Sequence, residues 1–310
     1  MCSPGKTYVR YLVLALAGTC STVYAQTPAI NPMPDGSRDM FIGLGVQAAP
    51  RYDGAADRRT SALPVLQVQW SNGIFVSGMS AGMHLSALPT VEYGPLLALA
   101  PGRDASGNRL FRLSSAGDNG AGDSPPTTWL PPLETPVSSA PRDEAPPEVI
   151  GPGNNRLDGM QPIARRLLAG GFANLYLGRQ WRLTGTVLYG AGNARRGLRS
   201  HIAVQHVAQD FAPHHSITLA GGVSVVNGAY SAAYFGVTEF EAGHTMNAAY
   251  RPGGGVQDVR ASLRWNWALS PALMLSTGVQ ATRLLGDARR SPLVERATGL
   301  SAGSALAYRF

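Results

Sequence analysis

The sequence predicts an all-β fold: a transmembrane antiparallel β-barrel of about 12 strands, made after a cleaved signal peptide. Three observations carry that prediction. Hydropathy alternates with a period of two from Met40 to the C-terminus, the first 25 residues are built like an export signal, and the chain ends on an aromatic strand at Phe310.

The signal comes first in the chain. Lys6 and Arg10 form its charged region, Leu12 to Ala17 its apolar core, and Val23-Tyr24-Ala25 its small-residue cleavage site. Cys20 follows Thr19, where a lipoprotein signal wants a smaller residue, so no lipid anchor is expected. Removing residues 1–25 from 310 leaves 285 for the mature protein, 26–310, a length that a barrel takes up as one domain. Cys2 and Cys20 leave with the signal, which excludes disulfides, thiol nucleophiles and cysteine metal sites from the rest.

Composition narrows the class further. Apolar residues make up 44% of the chain and charged residues 15%, against about 25% charged in a typical soluble domain. No apolar run approaches the ~20 residues of a spanning helix, so helical channels and transporters drop out. Losing Lys6 and Arg10 leaves 24 of the 26 cations, all of them arginine, against 19 acids, a net charge of +5. Those arginines are dispersed rather than clustered on one face, which speaks against nucleic acid as a partner.

Strands are expected near 38–48, 62–71, 73–86, 90–100, 165–177, 181–191, 198–208, 216–226, 229–237, 256–268, 272–283 and 299–310. The clearest runs Val259, Ala261, Leu263, Trp265, Trp267 against Asp258, Arg260, Ser262, Arg264, Asn266. Asn227-Gly228 is placed as a two-residue hairpin turn between two of the strands. Alternation alone does not separate a soluble sandwich from a membrane barrel. Three features favour the barrel: many strands reach the ~9–11 residues that cross a bilayer, the polar series is rich in Gly, Ser, Thr and Gln, and aromatic residues sit near strand ends (Trp70, Trp181, Tyr189, Trp267, Tyr308) as in an interfacial girdle. An even strand number puts both termini in the periplasm. Tyr308 and Phe310 are candidates for the C-terminal signal through which a barrel is inserted.

Residues 101–160 break the pattern and hold ten of the 23 prolines. Such runs cannot form ladder strands, so a disordered, proline-rich insertion is expected at about 103–156. Counting strands before it places it on the periplasmic side, and an error of one strand would reverse that.

Motifs with chemical meaning are few. Gly78-Met-Ser80-Ala-Gly82, with His84 nearby, matches a nucleophile elbow, but no helical pattern follows it. Gly43-Leu-Gly45-Val-Gln-Ala48 imitates a dinucleotide fingerprint and also lacks its helix. His201, His206, His214 and His215 do not have the spacing of a metal site. No catalytic, metal-binding or cofactor-binding residues are therefore assigned, and no cofactor is expected. Four Arg-Arg pairs (58–59, 165–166, 195–196, 289–290) fall in loops or at strand ends, as solvated charge or as contacts to lipid phosphate. Arg182, Arg199, Arg260, Arg264 and Arg309 share the inferred inner face, giving a basic lumen lining that would favour anions if the lumen is open.

Several strings resemble the MltA-interacting protein family, also called MipA/OmpV. They are Tyr230-Ser-Ala-Ala-Tyr-Phe-Gly-Val-Thr238, Tyr250-Arg-Pro-Gly-Gly-Gly255, Arg283-Leu-Leu-Gly-Asp-Ala-Arg-Arg-Ser-Pro-Leu-Val294 and the terminal Ala307-Tyr-Arg-Phe310. Earlier in the chain, Gly43-Leu-Gly-Val46, Arg51-Tyr-Asp-Gly54, Leu63-Pro64 and Leu157-Asp-Gly-Met160 are similar to its opening strands and mid-chain marker. The proline-rich stretch is longer than the family usually carries. The resemblance implies a Gram-negative outer-membrane barrel in contact with membrane lipid and lipopolysaccharide. It also implies a scaffold linking a lytic transglycosylase with a peptidoglycan synthase, with no catalytic residues to carry over. The alternatives are a narrow anion-preferring diffusion channel and, further off, a membrane-embedded lipid hydrolase using Ser80.

Overall fold

The computed structural model describes residues 38–86, 88, 90–109, 155–178, 180–208 and 212–310. The signal segment and residues 110–154 of the proline-rich stretch lie outside the described residues. The chain forms β1 (Arg38–Pro50), β2 (Arg58–Trp70), β3 (Ile74–Ser77), β4 (Ser80–Met83) and β5 (Val91–Ala100). A small hairpin of β6 (Gly102–Asp104) and β7 (Gly107–Arg109) follows. Next come β8 (Arg166–Leu177), β9 (Trp181–Ala191), β10 (Gly197–Ala208), β11 (His215–Val226), β12 (Gly255–Ala268), β13 (Leu273–Leu284) and β14 (Thr298–Arg309).

Every strand except β6 and β7 joins one closed antiparallel barrel of twelve, in the order β1-β14-β13-β12-β11-β10-β9-β8-β5-β4-β3-β2. The ring closes where β1 pairs with β14, from Phe41 opposite Arg309 to Ala48 opposite Ala302. Closure satisfies the backbone amides within the wall, as hydrocarbon demands. Ile42, Leu44 and Val46 are exposed on the outside of β1, and Gly43, Gly45 and Gln47 alternate with them toward the lumen. The glycines are needed there: a Cβ on Gly45 would lie 2.5 Å from the Ala305 Cβ and overlap the Ser304 carbonyl. That close strand approach is what the apparent dinucleotide fingerprint encodes.

The expected strand number is met through two compensating differences. The run 73–86 is two four-residue strands, because Gly78 takes φ 60° and turns the chain. The run 229–237 is a helix, α1 (Gly228–Phe235), followed by α2 (Glu239–Ala242) and α3 (Gly286–Arg290). Asn227 is thus a helix N-cap rather than a hairpin residue: its Oδ1 accepts the N–H groups of Tyr230 at 2.9 Å and Leu198 at 3.0 Å. Tyr230, Ala232 and Tyr234 alternate as a strand would, yet Tyr230 and Tyr234 are also one helical turn apart and stack at 4.6 Å.

The short β3–β4 hairpin covers only part of its neighbours, since β3 pairs with Gln67–Gln69 of β2 alone. Proline placement follows from this. Gly78 N–H donates to the Leu66 carbonyl, so the even residues of β2 turn their backbone groups toward the hairpin. Pro64, one pair beyond the hairpin's reach, loses no ladder bond by lacking an N–H.

Connections at the terminal end are short, as at 71–73 and 269–272, while the opposite end carries 51–57, 101–165, 227–254 and 285–297. Five barrel strands precede the proline-rich segment, not four, which attaches it at the long-loop end, opposite the termini. Its two ends are folded: Arg103 pairs with Ile163 by backbone bonds of 2.9 and 2.7 Å. Trp70, Trp181, Trp265, Trp267 and Tyr308 fall at the terminal end, with Tyr189 toward the other. All four Arg-Arg pairs lie at the long-loop end.

Candidate functional site

The long loops fold over the barrel mouth as a cap with a core of its own. Tyr52, Ala55, Leu157, Met160, Val237 and Leu293 pack together there, with Ala242 and Tyr250 against them. Most of these residues belong to the strings that carried the family resemblance, so segments far apart in sequence meet in one place. Tyr52 Oη donates to the Leu293 carbonyl at 3.1 Å, and burial, reinforced by Glu295, pushes the phenol up to about 12. Arg103 is almost fully buried below this core. Its Nη1 donates to the Tyr234 carbonyl, and burial lowers its pKa, only partly opposed by Tyr234, Tyr52, Asp53 and Glu241.

From the cap, α1 projects Tyr230 and Tyr234 into the lumen. Tyr230 joins a buried cluster with Leu96, Ala98, Leu168, Leu188 and Val226, so one side of the barrel is packed like a protein core. Nearer the terminal end, the rings of Phe75, His84 and Phe172 stand 4.7 to 5.6 Å apart along the inner face of the adjacent strands β3 to β8. The other side is different. Small inward residues of β13 and β14, among them Ser276, Gly278, Gly299 and Gly303, leave a cavity of about 280 Å³.

Arg199, His201, Arg260 and Arg264 form the polar wall of that cavity, and Asp53 lines it from the cap. Behind the arginines lies a buried network. A bulge in β12 brings both Gln257 and Asp258 to the inner face, where neither is exposed. Asp258 Oδ1 accepts from Ser224 Oγ and from Arg260 Nε, each at 2.9 Å, and its Oδ2 accepts from Gln257 Nε2 at 3.1 Å. Ser224 Oγ also accepts from Arg199 Nη2 and lies 3.2 Å from His201 Nδ1. This is not a hydrolytic triad: the serine, fully buried, sits between the histidine and the aspartate, so its proton faces the carboxylate instead of a base. The arrangement instead fixes the position of Arg260 and Arg199.

The five predicted lining arginines separate into two groups. Arg199, Arg260 and Arg264 are brought together at the cavity. Arg182 lies over the Tyr176 ring at 5.9 Å, and Arg309 pairs with Asp39 at 2.8 and 3.1 Å near the terminal rim. The inner face is thus mixed rather than purely basic. Asp258 was visible two residues before Arg260 on the polar face of its strand, but the bulge that adds Gln257 to that face has no clear sequence signal. Tyr230, Tyr234 and Asp53 were missed because they enter the lumen from loops.

The remaining candidates scatter. Ser80 lies in a hairpin and donates to the Ser77 carbonyl at 2.8 Å, with no helix behind it. His206 faces outward against Trp181 at 4.6 Å, and His215 stacks on Trp265 and Trp267. Among the described residues no group of three or more His, Cys, Asp or Glu could hold a metal ion. Phe310 follows β14, its N–H on the Met40 carbonyl and its ring against Tyr308.

The sequence matches none of the curated proteins with which it was compared. Among solved structures, the NanC porin is similar over 86% of this chain and 100% of its own, at 7% identity and TM-score 0.43. A deltaS2S3 mutant of the TodX monoaromatic hydrocarbon channel matches over 89% and 91%, at 9% identity and TM-score 0.36. A FadL homologue of Pseudomonas aeruginosa matches over 88% and 90%, at 9% identity and TM-score 0.29. Likenesses this distant say nothing about what passes through or binds this barrel. The family model of the MltA-interacting protein MipA matches residues 42–310, nearly the whole described barrel and its cap. The chain is an outer-membrane β-barrel protein and belongs to the MltA-interacting protein (MipA) family.

Proposed function

We propose that this protein is a non-enzymatic scaffold in the outer membrane that holds a lytic transglycosylase of the MltA type, and with it a peptidoglycan synthase. The family match over residues 42–310 carries this reading. A lumen half filled by side chains, beneath a folded cap, suits an anchor better than an open pore. Short turns face the periplasm in such barrels, so the transglycosylase meets the terminal rim, and Tyr308 and Phe310 at that rim supply the signal for insertion.

Capture from detergent extracts tests this. The tagged full-length barrel is expected to retain an MltA-type transglycosylase, and a barrel lacking residues 110–154 is expected to retain it equally, because that segment attaches at the opposite end. Failure of the full-length barrel to hold the enzyme overturns the scaffold. The second reading is a narrow anion-preferring channel, favoured by Arg199, Arg260 and Arg264 along one wall. Planar-bilayer currents that prefer chloride to potassium would support it, and absence of conductance would remove it.

A further inference from the structure

We propose that the lumenal cavity is a binding site for a single-ring sugar acid. The argument rests on the contrast between the two sides of the barrel interior. Leu96, Leu168 and Leu188 fill one side with hydrocarbon, whereas the other is kept open by small residues, glycine, serine and alanine, and carries a row of polar groups. Hydroxyl and amide groups of Ser262, Ser276, Gln280, Thr282 and Ser301 line the open side. They lie on adjacent strands: Arg260 is opposite Thr282, Ser262 opposite Gln280, and Gln280 opposite Ser301. A carpet of alternating donors and acceptors at strand spacing matches a ring that bears several hydroxyls.

Charge supplies the acid. Three arginines and His201 line the cavity against one acid, Asp53. Arg260 is held in place by the buried carboxylate of Asp258, so the wall is organised before any ligand arrives. Guanidinium groups of this kind recognise carboxylates through paired hydrogen bonds. Volume sets the size, because 280 Å³ is at the lower end of ligand pockets and admits on the order of a dozen non-hydrogen atoms. Tyr230 and Tyr234 close the space toward the cap, with apolar ring faces on which a sugar can lie.

The test is isothermal titration of the full-length protein in detergent micelles with glucuronate, with glucose and glucosamine as neutral and cationic controls. Glucuronate is expected to bind one site at least tenfold more tightly than either control. Arg264→Gln is expected to weaken that binding at least tenfold, with the heat-modifiable migration of the folded barrel unchanged. Should that variant fail to fold, Gly278→Leu on the adjacent strand β13, directly across from Arg264, gives a second answer. A Cβ there meets only the Leu263 carbonyl, at 3.5 Å, so the added side chain extends into the cavity and takes up ligand space without a clash against the wall. Glucuronate binding no tighter than glucose, or binding that survives both substitutions, overturns the proposal. Transglycosylase capture reads the terminal rim and not the lumen, so either reading can fail without the other.

Discussion

The barrel wall and its cap are built by different physics, although one chain makes both. Wall strands such as β1, β2 and β12 run 13 or 14 residues, pair along most of their length, and turn their apolar residues outward. The cap turns its apolar residues inward, as a soluble protein does, with Leu157, Val237, Leu293 and Phe235 at 1 to 2% exposure. Long-range side-chain bonds then tie its loops together. Ser291 Oγ donates to the Phe235 carbonyl at 2.6 Å, Tyr250 Oη to the Asp287 carbonyl at 2.9 Å, and Asn247 Nδ2 to the Arg156 carbonyl at 2.8 Å. The wall depends on lipid and the cap on water, so the two should lose structure separately.

The largest effect is expected where the wall has no slack. Gly45→Leu drives a side chain into β14 at the seam that closes the ring. Loss of the heat-modifiable folded band is expected, with degradation of the unassembled chain. Gly185→Leu is the control, because a Cβ there finds only the Ala173 carbonyl, at 3.9 Å, and the band should persist. Next comes the cap. Phe235→Ala removes a ring at 1% exposure, which costs about 3–5 kcal/mol in a packed core. Limited proteolysis should then cut the cap loops while the barrel band survives, and loss of the barrel as well would show that wall and cap are one cooperative unit. A smaller change, about 0.5–2 kcal/mol, is expected from Asn227→Ala, which removes the cap of α1. Hydrogen exchange of the α1 amides should quicken while that of β11 stays slow.

The same contrast explains what could be read from the sequence. Ten of the barrel's twelve strands follow from the period of two, because each alternates toward lipid without needing a partner distant in sequence. The β3–β4 hairpin escaped because its strands are four residues long, too short to show a period, and only the turn at Gly78 separates them. The helix escaped because Tyr230-Ser-Ala-Ala-Tyr234 satisfies both periods, and Asn227-Gly228 is as good a hairpin turn as it is a helix start. At the cavity, Arg199, Arg260 and Arg264 were legible from strand parity. So was Asp258, two residues before Arg260, but Gln257 needed a bulge and Tyr230 a loop to re-enter the lumen, which only the assembled fold supplies.

Acid should bring out the smallest of the differences between wall and cap. Glu241 closes a capping box with Thr238, whose N–H and hydroxyl bond its Oε2 at 2.9 and 2.8 Å, while Gln161 N–H bonds its Oε1 at 3.0 Å. Burial pushes this carboxyl up, but those hydrogen bonds and the Arg103 guanidinium outweigh it and hold it below its ordinary value of 4.5. A carboxyl depressed in the folded state gives stability that is present above the unfolded value and lost as pH falls through the folded one. The cap should therefore loosen below pH 4.5, exposing the 155–163 segment to pepsin, while the wall, held closed by its backbone hydrogen bonds, persists. Glu241→Gln keeps the shape of the side chain and removes the proton uptake, so its cap should already be looser at pH 7 and should change less on acidification. If the variant and the natural protein lose the cap along the same pH curve, some other acid governs it. Asp287 is then the next to change, since it accepts from Gly253 N–H and Arg290 and is depressed chiefly by the latter.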